Sequence, residues 1–119
     1  MFRSAVPVLA MVLTPALLGA CGSSSSAPSS ADVKQVCKQI EAVLSDGPEP
    51  AADPVGYAQA QVLPLRQIRT PDRKLQAAID SLAGAYQAVS AAGRVDHAGE
   101  AAVKGAAHRV NAICPGAAS

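Results

Sequence analysis

The chain has 119 residues, room for one domain at most. Ten Lys and Arg face nine Asp and Glu, with two Tyr, one Phe and no Trp. That balance excludes a basic surface for nucleic acid and a base-stacking platform, and the sequence shows no polybasic patch for anionic lipid.

Met1 to Ser4 carries one positive charge, Arg3, and Ala5 to Leu18 is an apolar run interrupted by Pro7 and Pro15. Fourteen residues are too few for a membrane-spanning helix, which needs about 20. Small residues follow, as in an export signal, and then a cysteine. Leu18-Gly19-Ala20-Cys21 resembles the lipobox of bacterial lipoproteins. The resemblance covers about the first 22 residues. It implies cleavage between Ala20 and Cys21, with Cys21 as the acylated N-terminal residue. Residues 1–20 are then the signal peptide, and the rest is held on the extracytoplasmic face of the cell membrane through Cys21. With no twin-arginine pair, the general export route is expected. The alanine- and proline-rich composition behind such a leader is similar to small actinobacterial lipoproteins. That likeness implies no activity.

Residues 21–31 read as the acylated cysteine and a tether. Gly22 to Ser30 contains six serines and cannot bury apolar surface. Residues 32–115 read as the folded domain, and residues 116–119 as a frayed tail.

Helical spacing runs through the domain. Val33, Val36, Cys37, Ile40, Val43 and Leu44 form one stripe, capped by Ser29 or Ser30 and stopped by Gly47-Pro48. Asp53-Pro54 opens a second helix on Val55, Ala58, Val62, Leu65 and Ile68, with a kink or break expected at Pro64. Thr70-Pro71-Asp72 repeats the cap-and-proline signal before Leu75, Ala78, Ile79, Leu82, Tyr86 and Val89, a helix ended by Gly93. Gly84 inside it is expected to mark a close helix crossing. Asp96 caps a fourth helix through about Ile113, with Val103, Ala106, Ala107, Val110, Ile113 and Cys114 on its apolar face. No strand-like alternation and no internal repeat interrupts the series.

The expected fold is therefore all-α, a disulfide-stapled antiparallel four-helix bundle behind the signal peptide and tether. In an up-down-up-down order the start of the first helix meets the end of the fourth. Cys37 and Cys114 then come together, and export to an oxidising compartment favours their bridge. Cys21 accounts for the odd cysteine. Two isolated cysteines lack the close spacing of a zinc site.

No catalytic or phosphate-binding motif is present, so an enzyme is not expected, nor is a cofactor. Two weaker constellations remain. His97, Glu100 and His108 fall on one stripe of the fourth helix with Lys104 among them, a candidate metal set that also reads as a solvated face. Tyr57 and Tyr86 are candidates for a two-tyrosine pocket. Arg66, Arg69, Arg73 and Lys74 read as a solvated helix junction or a contact for phosphate or an anionic headgroup. The expected function is a membrane-anchored binding or interaction module with an envelope protein as partner. The alternative is a carrier of a small ligand, lipid or metal.

Overall fold

The computed structural model describes residues 29–119. Among them are four helices and no strand: α1 (Ser30–Leu44), α2 (Pro54–Gln67), α3 (Arg73–Ala92) and α4 (His97–Ile113). The expected cleavage and acylation site at Ala20–Cys21 lies outside the described residues. None of the described helices is long and apolar enough to cross a membrane.

Each helix starts where a short polar side chain takes an orphan backbone N–H. The N–H groups of Asp32, Gly56, Leu75 and Gly99 donate to Ser29 Oγ, Asp53 Oδ1, Asp72 Oδ1 and Asp96 Oδ1 at 3.2, 2.8, 2.9 and 2.7 Å. Ser29 and Asp32 complete a reciprocal capping box. The third cap differs from the sequence reading. Asp72, not Thr70, caps α3, and the Thr70 hydroxyl instead accepts from the Asp72 N–H. An aspartate one residue from the helix outcompetes a threonine behind a proline. Gly93 closes α3 in the left-handed region at φ 65°, which a Cβ would oppose.

Pro64 does not break α2, which continues to Gln67. The ring displaces the helix bond to the Ala60 carbonyl, and Ala60 is exposed, so water can take the freed acceptor. Nor does Gly84 mark a crossing. It is exposed, and a Cβ built there meets nothing within 4 Å.

The four helices form an all-α, disulfide-linked bundle. Helix α2 packs along α3, α3 along α4, and α1 touches α2 more narrowly. Ile40, Leu65, Leu75, Ile79, Leu82 and Val110 are the large apolar side chains sealed in the core. The α2 face is turned relative to the expected stripe: Gln61 is 1% exposed, Val62 is only partly buried and Leu63 is 70% exposed. The Cys37–Cys114 disulfide, with Cα atoms 5.3 Å apart, joins α1 to the residue after α4.

The tail after Cys114 is not frayed. Ala117 is buried, its N–H donates to the Cys114 carbonyl at 3.0 Å, and the Ala118 N–H donates to Asn111 Oδ1 at 2.8 Å. Gly116, at φ 79°, lets the chain turn back onto the disulfide, where Ala117 covers apolar surface that Val33 and Ile113 also border.

The bundle has two unlike poles. At one lie the start of α1, the α2–α3 junction, the disulfide and the tail. At the other lie the α1–α2 loop and the α3–α4 turn. Lys34, Lys38, Arg66, Arg69, Arg73, Lys74 and Arg109 fall toward the disulfide pole, with Asp32, Glu41, Asp72 and Asp80. Toward the other pole lie Asp46, Glu49, Asp53, Asp96 and Glu100, with Arg94 and Lys104. A chain with nearly balanced charge is thus polarised along its long axis. This departs from the expectation that no basic patch exists, because folding brings Lys34, Lys38 and Arg109 to grooves that share Ile113 with Lys74.

Candidate functional site

The second pole holds an open cleft of about 250 Å³. Helix α2 supplies Pro54, Tyr57 and Ala58, and α3 supplies Tyr86 and Val89. Pro50 closes one side from the α1–α2 loop, Val95 another from the α3–α4 turn, and Val103 forms part of the α4 wall. Glu100 and Lys104 border it with their charges. The rest of the lining is apolar. Val95, 43% exposed, is one of two large apolar side chains notably open to solvent among the described residues.

The tyrosines define this site. Their ring centroids are 5.7 Å apart at 81°, an edge-to-face pair. The Tyr57 hydroxyl donates to the Leu44 carbonyl oxygen at 2.6 Å. One turn along α2, Gln61 Nε2 donates to the Asp46 carbonyl oxygen at 2.8 Å. Two neighbouring side chains of α2 therefore tie down the C-terminal end of α1 and the loop beyond it, Tyr57 satisfying a carbonyl the helix leaves open and Gln61 one in the loop. These bonds join the cleft wall at Tyr57 to the end of α1 and its loop. Burial raises the Tyr86 phenol well above its ordinary value, and the adjacent Tyr57 raises it further. Burial also raises Tyr57, with the neighbouring Tyr86 opposing. Both rings present neutral phenols at physiological pH.

The structure brings Tyr57 and Tyr86 together in one cleft. It does not bring His97, Glu100 and His108 together as a metal site. Lys104 Nζ lies 2.7 Å from Glu100 Oε1, one turn along the same helix. That hydrogen bond and charge hold the Glu100 carboxyl below its usual range and Lys104 above. Both histidines are exposed, and no three of His, Cys, Asp or Glu among the described residues form a group able to hold a metal ion. The candidate metal set is corrected to an exposed ion pair at the cleft rim, because the lysine at i+4 already occupies the carboxylate.

Comparison of the chain with known protein families, with curated proteins and with solved structures finds no match.

Sequence reasoning missed Gln61, Pro50 and Val95. Gln61 follows Tyr57 by one turn, so it shares that side of α2, which is a readable signal. Pro50 and Val95 sit in loops, and only the fold brings them to the tyrosines.

Proposed function

We propose that the protein is a lipid-anchored extracytoplasmic binding module, without catalytic activity, whose cleft takes a small and largely apolar ligand. The observation that carries this is the apolar cleft built on the Tyr57–Tyr86 pair, with Val95 left open to solvent at its edge. Ligand pockets combine apolar walls with few polar groups, and here those groups are the Glu100 and Lys104 rim. A cleft of 250 Å³ lies at or below the lower end of the usual range for ligand pockets, about 300–1,000 Å³, and favours a ligand of modest size. The Leu18–Cys21 motif supports the anchor. The disulfide agrees with an oxidising location.

The sequence makes the test direct. Both tyrosines line the cleft and the chain has no tryptophan, so intrinsic emission reports on this site. Titration with octanol and with octanoate should change tyrosine emission and raise the melting temperature, the thermal gain growing with ligand concentration over Kd. Tyr86→Ala should abolish the response. If neither probe moves emission or melting, the cleft is not an apolar-ligand site. For the anchor, Cys21→Ala should leave the protein unprocessed or released from membranes. Normal trimming and membrane retention of that variant would refute the anchored reading.

A further inference from the structure

We propose that the disulfide pole is a docking surface for anionic lipid headgroups, and that it stands the domain on the bilayer with the cleft turned outward. The anchored reading contributes only the presence of a nearby bilayer. The surface itself is argued from charge and chain entry.

Lys34 and Lys38 line a groove between α1 and the Ile113–Ala117 turn. Lys74 and Arg109 line the adjoining groove between α3 and α4, which also reaches Ile113. These four side chains are exposed along two grooves that share Ile113, and Arg69 and Arg73 are exposed at the α2–α3 junction. None of the six forms an ion pair among the described residues, where Glu100–Lys104 is the one such pair. Arg66 turns away and donates to Gln87 Oε1. Of the carboxylates on this side, Asp32 and Asp72 bond backbone N–H groups and Asp80 accepts from Gln76 Nε2, while Glu41 shares the α1 groove. The cations therefore keep donors free for phosphate oxygens.

The chain enters at the same pole. Ser29 caps the start of α1 and stands eight positions after Cys21, a span of at most about 28 Å. An anchor at Cys21 would confine this pole within that distance of a bilayer. Attraction between Lys or Arg and an anionic surface acts over a Debye length, about 8 Å at physiological salt, so it engages once the short connection brings the pole in. The opposite pole carries Asp46, Glu49, Asp53, Asp96 and Glu100, and the same surface repels it. Both effects turn the domain in one direction. Tyr86 and Val89 stand 12 and 15 positions along α3 from Lys74, which places the cleft about 18–22 Å farther out.

The four lysines of the chain form a natural probe: Lys34, Lys38 and Lys74 at the docking pole, Lys104 at the cleft rim. The full chain is added to vesicles of phosphatidylcholine alone, or with one-third phosphatidylglycerol, and lysine acetylation is read residue by residue. On the anionic vesicles acetylation should slow by about threefold or more at Lys34, Lys38 and Lys74, with Lys104 unchanged, and about 0.5 M salt should erase the difference. The combined substitution Lys34→Glu, Lys38→Glu and Lys74→Glu should remove the preference for anionic vesicles in flotation while leaving the helical circular dichroism intact. Equal protection of all four lysines, protection of Lys104 alone, or identical patterns on both vesicle types would overturn the proposal. Flotation of the acylated protein on phosphatidylcholine alone reads the anchor separately, so failure there counts against the anchor and not against the pole.

Discussion

Tyr57 joins structure and site through one hydroxyl. It donates to the Leu44 carbonyl while its ring forms a cleft wall against Tyr86. Tyr57→Phe keeps the ring and strands that carbonyl, so it should cost about 1 kcal/mol in denaturant titration while the cleft keeps its shape. Gln61 behaves differently. Its Nε2 is bonded, but its Oε1 is buried with no partner. Gln61→Leu loses a bond and also removes an unsatisfied oxygen, so its net effect should stay within about 1 kcal/mol of wild type. The raised phenol values give a pH dependence. The folded state holds the tyrosine protons more tightly than the unfolded chain, whose phenols titrate near 10.0. This contribution is fully present below that pH and is lost as pH rises through the folded-state values. Tyrosinate absorbance should therefore appear at higher pH in the native protein than in guanidinium chloride, and the denaturant midpoint should fall above pH 10.0.

The helices owe their limits to caps and their packing to uneven apolar faces. Helix α3 is the framework, touching both α2 and α4 and supplying Leu75, Ile79 and Leu82 to the core. Its exposed Gly84 has no packing reason to lack a side chain, and Gly105 in α4 is the same: no atom lies within 4 Å of a Cβ built at either. Gly84→Ala and Gly105→Ala should each stabilise the fold by about 0.8–1.0 kcal/mol, additively given their separate helices, as a rise in denaturant midpoint at unchanged slope. Helix α2 was the least legible element. Its apolar residues fit more than one helical face, and Gln61 rather than Val62 is the sealed position, where its Nε2 donates to the Asp46 carbonyl just beyond α1. Caps at Asp53 and Asp96 and the faces of α1, α3 and α4 were readable because each signal is local and repeated.

The molecule as a whole rests on a thin core and one staple. Few large side chains are fully buried, and α1 meets the rest of the bundle over a narrow contact with α2. The disulfide closes a separation of 77 residues, which in the chain-entropy model stabilises the fold by about 4–5 kcal/mol. Reduction, or Cys37→Ser with Cys114→Ser, should lower the melting temperature by well over 10 °C and release α1 first, read as early loss of amide protection across residues 30–44.

The sequence by itself determined the helices, the caps at Asp53 and Asp96 and the pairing of Cys37 with Cys114, because periodicity, capping chemistry and chain order are all written locally or in sequence. It also nominated Tyr57 and Tyr86. Tertiary structure decided everything that depends on distance between elements. It placed Pro50 and Val95 beside the tyrosines, gave Glu100 to Lys104 rather than to the histidines, docked the tail on Asn111, and sorted a nearly neutral set of charges into two poles. Those outcomes depend on how the helices rotate and cross, which is set by close packing and by buried carbonyls seeking donors, and neither leaves a periodic mark on the chain.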